Sequence, residues 1–214
     1  MPRPSQPLLS RQRIVDVALH IIDSEGLAAL STRRLAAELH VRAPSLYNHF
    51  ATKEEILDAA ADAVISTVDI SMFGPHEWPD ALREWARGYR AALAQHPHIV
   101  PLLAGGPALR PAALRLADAV YGALVDAGWP RGYATRIGAT MRYFVFGSTL
   151  GSFALGFVDD PAVYAGGQYP HLTDAHRLRQ HREQVDEGAF ELGLRTLVDG
   201  LVRLFDEVAA GALS

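Results

Sequence analysis

Five side chains in one short stretch, those of Pro44, Ser45, Tyr47, Asn48 and His49, do little for a hydrophobic core but suit contact with phosphates and base edges. Arg33, Arg42 and Ala43 stand close by in the chain and, with Pro44, Ser45 and Asn48, form a set matched to base edges. Asn pairs bidentately with adenine, Arg does so with guanine, and Ala or Pro packs on a thymine methyl group. Thr32, Tyr47, His49 and Lys53 have the chemistry for phosphate contact, helped by the partial positive charge at a helix N-terminus. Packing within the surrounding fold is the alternative role for Tyr47. The pattern predicts a surface that reads double-stranded DNA.

Such a surface needs a rigid mount, and the flanking sequence has the parts for one. Ser31 sits just before a helical pattern running from Thr32 to about Leu39 and is suited to cap its first amides. Leu35, Ala36 and Leu39 give that helix a narrow apolar face. His40-Val41-Arg42 forms the turn, with Val41 as its apolar plug. Pro44 suits the first position of the next short helix, where a missing N–H costs nothing. Within that helix Leu46 and Phe50, four apart, point inward. Thr52-Lys53-Glu54-Glu55 is a T-x-x-E capping box that starts a further helix. Upstream, residues 10–24 carry Ile14, Val15, Ala18, Leu19 and Ile22 on one helical stripe, and Gly26 closes it.

From about Arg11 to Asp62 the chain resembles the DNA-binding domain of the TetR family of bacterial transcriptional repressors. The resemblance is carried by Ser31-Thr32-Arg33-Arg34-Leu35-Ala36, by Val41, by Pro44-Ser45-Leu46-Tyr47-Asn48-His49-Phe50, and by Lys53-Glu54-Glu55-Ile56-Leu57. His40 departs from the pattern, since the family usually has glycine in the turn. Histidine tolerates positive φ better than most residues, so a modestly strained turn is expected there.

Composition bounds the rest. The chain has 214 residues, 49% of them apolar and 21% charged, which fits a globular protein of one or two domains. It lacks an apolar run long enough to span a membrane. The opening MPRPSQPLLS has three prolines and no apolar centre, so it reads as neither signal peptide nor helix, and its Arg3 is placed to reach DNA. Cysteine is absent, which excludes disulfides, thiolate catalysis and Cys-ligated zinc and fits a reducing, cytoplasmic location. Through Lys53 there are seven basic and four acidic residues; the remainder has thirteen basic and twenty acidic. DNA binding needs local positive charge whatever the total, so a basic head on DNA and an acidic body facing away are expected.

The body is again helical. Helices are predicted at 53–70, 79–95, 111–127, 130–155 and 186–210, with a short one near 174–181. Breaks fall at Gly74-Pro75, at His96-Pro97 and at Ala104-Gly105-Gly106-Pro107, and 156–172 reads as loop. No alternating run long enough for a strand occurs. The expected architecture is all-α: a helix-turn-helix headpiece of three helices over residues 1–52 and a helical ligand-binding and dimerisation domain over 53–214.

The last helix carries Phe190, Leu194, Leu197, Leu201, Leu204 and Val208 at spacings of 4, 3, 4, 3 and 4, a seam like that of a packed helix pair. Gly193 and Gly200 would let another helix approach closely, and Gly147 and Gly151 with Ser148 and Ser152 offer a second small-residue face. Filling the subunit's own core is the alternative for both stripes. One small helix-turn-helix buries little DNA, and two-fold symmetry doubles its readout. A homodimer on a palindromic operator is therefore expected, and the family resemblance implies dimerisation through a four-helix bundle.

Tyr89 to Leu103 with His96-Pro97, together with the 190–194 and 198–201 segments, is more loosely similar to the C-terminal domain of the tetracycline-repressor branch. This implies a small-molecule effector pocket in the body, coupled to the head through the helix that starts at Lys53. Candidate lining residues are Trp85, Tyr89, His98, Tyr121, Met141, Phe144 and Ser148, with ordinary core packing as the alternative. The ligand set for magnesium-chelated tetracycline has no residue-by-residue match.

No cofactor, no metal, no membrane partner and no enzyme activity are expected. His171, His176 and His181 recur every five residues, a spacing that does not share a helical face. Neither H-E-x-x-H nor a phosphate-binding G-x-x-x-x-G-K-[ST] motif occurs. Glu187 and Glu191 lie one turn apart without a nucleophile and read as helix surface. The sequence predicts a ligand-responsive transcriptional regulator, a repressor released from its operator by a small molecule. A helical small-molecule-binding protein or enzyme without a DNA-binding role is the alternative.

Overall fold

The computed structural model describes residues 9–104 and 109–211. Arg3 and most of the predicted 104–107 loop lie outside the described residues. The chain divides into two compact units, one made of Met1–Asp69 and Ala91–Asp118, the other of Ile70–Arg90 and Ala119–Ser214. Position 52/53, the boundary expected from sequence, falls inside the first unit. Among the described residues every regular element is helical, apart from one isolated bridge between Phe73 and His76.

The first unit opens with α1 (Arg11–Glu25), α2 (Thr32–Glu38), a 3₁₀ segment at Ala43–Asn48 and α3 (Lys53–Ser66). Its core is built from Ile14, Ala18, Ile22, Leu35, Leu46, Phe50, Ile56 and Ala60, all buried. Each large aliphatic or aromatic side chain in that set contributes about 1.5–3 kcal/mol by leaving water. The predicted Ser31 cap forms, its hydroxyl accepting the Arg34 amide at 3.1 Å, and Ser10, which the sequence reading did not single out as a cap, accepts the Arg13 amide at 3.2 Å. The last five residues of α4 (Trp78–Gln95), a 3₁₀ turn at Pro97–Ile99, α5 (Val100–Ala104) and the start of α6 (Pro111–Asp126) complete this unit.

Two elements here are shorter or tighter than the periodicity suggests. The predicted second short helix is 3₁₀, with i→i+3 bonds from the Ser45 and His49 amides to the Arg42 and Leu46 carbonyls. Six residues, one of them a proline without a donor, are too few for a stable α-helical run. Helix α3 ends at Ser66, short of residue 70, where the Ser66 and Thr67 hydroxyls turn back onto the Ala63 and Val64 carbonyls.

The second unit holds the first part of α4, the end of α6, α7 (Arg131–Gly147) and α8 (Arg182–Ala209). Leu82, Trp85, Trp129, Met141, Val145, Leu194 and Val198 are buried in it. Helix α7 stops at Gly147 and does not reach residue 155. The Ser148 and Thr149 hydroxyls donate to the Val145 and Phe146 carbonyls at 2.6 and 2.9 Å, and the glycines that follow favour unwinding. Phe153–Gly156 is a separate 3₁₀ turn, and Ala175–His181 forms the expected short helix in 3₁₀ geometry. Helix α8 starts at Arg182, four residues ahead of the predicted position.

Candidate DNA-reading head and effector unit

The geometry of the head is set at the end of α2. The His40 amide donates to Ala37 O at 3.1 Å and the Val41 amide to Ala36 O at 2.9 Å. This is a Schellman closure with His40 in the left-handed position at φ 56°, the one non-glycine positive φ among the described residues. The strained turn expected at His40 is thus present. Arg42 is extended and leads into the 3₁₀ segment, which Leu46 and Phe50 pin from beneath.

Tyr47 is 54% exposed, so headpiece packing does not claim it. Arg33, Arg42, Pro44 and Asn48 are exposed as well, and Thr32, Ala43, Ser45, His49 and Lys53 are half-buried. Among the described residues the side chains of Arg33, Arg42, Tyr47, Asn48 and Lys53 make no hydrogen bond or ion pair, which leaves them free for an external partner. Arg34 differs: it bridges Glu25 at 2.9 Å and Glu38 at 2.6 Å. Its guanidinium holds the Glu38 carboxyl below the usual range.

Two devices stiffen the segment from outside. The Thr52 hydroxyl accepts the Glu55 amide at 3.1 Å, and the Glu55 carboxylate accepts the Ala51 amide at 2.8 Å. The capping box therefore closes one residue ahead of the amide that the motif predicts. Arg11 of α1 donates to the His49 carbonyl and lies over the Phe50 ring, 3.9 Å from its centroid. Sequence reasoning missed Arg11, because its partners are nearly forty positions away and no local pattern marks them.

The far side of α3 is also held. Arg110, only 6% exposed, donates from Nε and Nη2 to Asp58 Oδ1 at 3.0 and 2.7 Å. One turn along, Asp62 Oδ1 accepts the Ala112 amide of the first turn of α6 at 2.7 Å. At the end of α1, His96 Nδ1 lies 2.9 Å from Asp23 Oδ2, and His98 Nδ1 donates to the Ile22 and Asp23 carbonyls at 3.0 and 3.1 Å.

That placement separates His98 from the other candidate lining residues, all of which belong to the second unit. Trp85 and Tyr89 come together on α4, with ring centroids 5.6 Å apart, and Tyr89 meets Phe146 of α7 edge-on at 5.6 Å. Met141 is fully buried. Tyr121 lies against α7 so closely that a Cβ at Gly138 would come within 2.1 Å of its ring. Phe144 stacks on Phe190 at 5.2 Å and fills the space over Gly193. The Ser148 hydroxyl is spent on its own helix.

The predicted dimer seam divides in two. Phe190 and Leu194 are buried within their own unit and the Gly193 notch already receives Phe144, so these three pack internally. A single amphipathic stripe does not distinguish a helix of the same chain from one of a partner. Leu197 and Leu201 are partly exposed, Gly147 and Gly151 are exposed, and the Gly200 Cα faces open space. Tyr143, Leu150 and Leu192, not singled out by the sequence pattern, are large exposed apolar side chains on the same elements or just beyond them. Glu187 and Glu191 are not idle surface: they pair with Arg90 and Arg87, and Arg83 pairs with Asp199 at 2.7 Å, in a ladder from α4 to α8. Arg87 holds Glu191 in a two-pronged hydrogen bond and keeps its carboxyl below the usual range.

Among the described residues no cluster of His, Cys, Asp or Glu has the makings of a metal site, and no helix is long and apolar enough to cross a membrane. A pinned polar segment after a Schellman turn, in a chain whose second unit is also helical, defines a helix-turn-helix DNA-binding regulator. The chain belongs to the tetR family of bacterial regulatory proteins: that family's model matches residues 14–60, and the tetracyclin repressor-like C-terminal domain model matches residues 74–204.

Curated relatives include an HTH-type transcriptional regulator of Saccharopolyspora erythraea, 35% identical over 67% of this chain and 61% of its own length. The chain therefore spans about three fifths of that relative. The class C tetracycline repressor of Escherichia coli is 32% identical over 92% of both chains. Among solved structures, a possible TetR family transcriptional regulator from Streptomyces coelicolor A3(2) superposes with a TM-score of 0.75 at 35% identity, covering 91% of this chain and 100% of that one. ActR of Streptomyces coelicolor in complex with actinorhodin gives 0.73 at 28% identity over 91% and 97%. BioQ with its double-stranded DNA operator gives 0.64 at 27% identity over 90% and 98%. The chain is a ligand-responsive, DNA-binding transcriptional regulator.

Proposed function

We propose that this protein is a homodimeric, cytoplasmic repressor that occupies a palindromic operator and leaves it when a small molecule binds the second unit. The observation that carries this reading is the free polar set on the pinned segment around Tyr47 and Asn48. Arg33, Arg42, Ala43, Pro44, Ser45 and Asn48 read base edges, while Thr32, Tyr47, His49 and Lys53 hold phosphates. Two copies present their reading segments about 34–36 Å apart, one duplex turn. Gly147, Gly151, Gly200, Leu197 and Leu201, with Tyr143, Leu150 and Leu192, form the dimer face, since they are the apolar and small residues of the last helices left uncovered within the chain.

The effector site lies in the second unit around Trp85, Tyr89, Tyr121, Met141 and Phe144. A relative's structure with a bound small molecule supports that reading, and one with operator DNA supports the first. Helix α3 links the two activities, with residues 1–52 as the reading head and 53–214 as the sensing body. The ligand acts only through its differential affinity for the released state.

Selection of bound fragments from random duplex DNA tests the proposal, with the mass of the free protein measured by light scattering. A two-fold symmetric consensus, a dimeric mass and a changed preference at one base pair per half-site for Asn48→Ala are expected. A monomer, or no enrichment over random DNA, refutes the reading.

A further inference from the structure

The reading segment is fixed at its start by the Schellman closure that ends α2. Its other end is closed differently. The His49 and Phe50 amides both turn back to the Leu46 carbonyl, at 2.9 and 3.0 Å. The segment is 3₁₀, a geometry with poorer hydrogen bonds than an α-helix, so its end needs support from elsewhere. Arg11 of α1 gives that support. Its guanidinium donates to the His49 carbonyl, one residue past Asn48, and lies 3.9 Å from the centroid of the Phe50 ring, which is 1% exposed. A flat guanidinium can stack on a ring and aim an N–H in its own plane at the same time, whereas an ammonium is a strongly hydrated point charge that does not combine the two.

We propose that Arg11 is a positioning residue for base readout: by tying the His49 carbonyl to α1 it fixes the level at which Asn48 meets a base edge. This rests on the reading that Asn48 contacts a base. A base-edge hydrogen bond weakens steeply with distance and angle, and a recognition group must be held within about 0.5 Å of its working position. Asn48 is exposed, so no packing of its own holds it there. Its place is inherited from the backbone between Leu46, buried beneath, and the His49 carbonyl that Arg11 grips. Arg11 thus acts on sequence preference from a helix outside the helix-turn-helix, through Asn48 and without touching a base.

Full-length wild type, Arg11→Lys, Asn48→Ala and the double variant test this on three duplexes: the selected consensus, the consensus altered at the base pair that Asn48→Ala identifies, and random sequence. Affinities are titrated across salt concentrations. Arg11→Lys keeps the charge but loses the stacked fork, and should reduce discrimination at that base pair roughly tenfold. Its affinity for random duplex and its salt slope should stay at wild-type values. In the Asn48→Ala background the same change should cost no further discrimination, because the two side chains act on one contact. Arg11 is exposed, so Arg11→Lys is expected to fold, checked by circular dichroism; should it not, Arg11→Gln, which keeps a planar donor without the charge, is read in the same way and should retain part of the discrimination. Full discrimination in Arg11→Lys, a loss spread evenly over the half-site, or a loss that adds to that of Asn48→Ala overturns the Arg11 assignment and leaves the Asn48 reading standing. If Asn48→Ala changes preference at no base pair, the Asn48 reading falls and the Arg11 assignment with it.

Discussion

Arg110 offers the most direct measurement of how α3 is held. Its guanidinium is 6% exposed and places two donors on one oxygen of Asp58, whose side chain is 51% exposed. Exposed ion pairs contribute about 0.2–1 kcal/mol, and breaking a fully buried one costs about 3–5 kcal/mol. A pair with one partner buried and one half in water belongs between these, at about 2 kcal/mol. For a chain of this length that corresponds to a melting-temperature loss of roughly 4–8 °C. Arg110 makes further contacts, so Arg110→Met alone overstates the share of Asp58. The double-mutant cycle with Asp58→Asn isolates it, read by calorimetric or fluorescence melting at pH 7. A coupling of about 1 kcal/mol or more is expected. Coupling within about 0.3 kcal/mol, the usual scatter of independent sites, would show that the clasp is geometric coincidence and that α3 is held by apolar packing alone.

Three shorter predictions follow from the same geometry. Lys53→Ala should weaken binding to all duplex sequences alike and reduce the salt-dependence slope by roughly one unit per half-site, measured by titration across salt concentrations; a loss confined to one sequence would contradict a phosphate role. His40→Gly removes a side chain from a left-handed backbone position and should raise stability by about 1 kcal/mol, read as a higher melting temperature with operator affinity retained. Glu191 has its carboxyl lowered from 4.5 by the Arg87 hydrogen bond. A lowered carboxyl contributes stability that is present above its unfolded value and lost as pH falls through the folded one. Melting temperature should therefore fall below about pH 4.5, and Glu191→Gln should flatten that decline; an unchanged profile in the variant would remove Glu191 from the account.

Local signals carried the head and did so for a physical reason. Ser31 and Thr52 cap amides three residues on, His40 takes the left-handed position of its own turn and Pro44 sits in the first turn of its own short helix, so their roles are written in adjacent positions. The same locality explains the two misplaced details there. A capping-box motif names residue types but leaves a choice between the Thr52 and Ala51 amides, and a six-residue apolar repeat does not separate 3₁₀ from α geometry. Phe153 and Leu155 continue an apolar pattern past Gly147, but the Ser148 and Thr149 hydroxyls bond backward and end helix α7 there. Contacts at long separation left no trace in the pattern: Arg11 on His49, Arg110 on Asp58, and the Arg83, Arg87 and Arg90 ladder. The stripe on α8 was legible as apolar but not as to its occupant, and Phe144 over Gly193 shows part of it already taken.

These long-range contacts make α3 the element on which the proposed switch turns. Its N-terminus is fixed to the reading segment by the Thr52–Glu55 box, and two of its carboxylates, one turn apart, grip the start of α6. A rotation of the first turn of α6 therefore breaks the Asp62 bond to the Ala112 amide or drags α3, because a hydrogen bond of 2.7 Å has little room to stretch. Moving a two-state equilibrium from 1:99 to 99:1 requires about 5.5 kcal/mol of differential ligand affinity. The Asp58 clasp at about 2 kcal/mol is roughly a third of that, so weakening it should not mimic the ligand fully. It should shift the basal balance by about thirtyfold, lowering operator affinity without effector and leaving a smaller further response to it. A variant with a loosened clasp but an unchanged basal affinity would place the switch elsewhere in the chain.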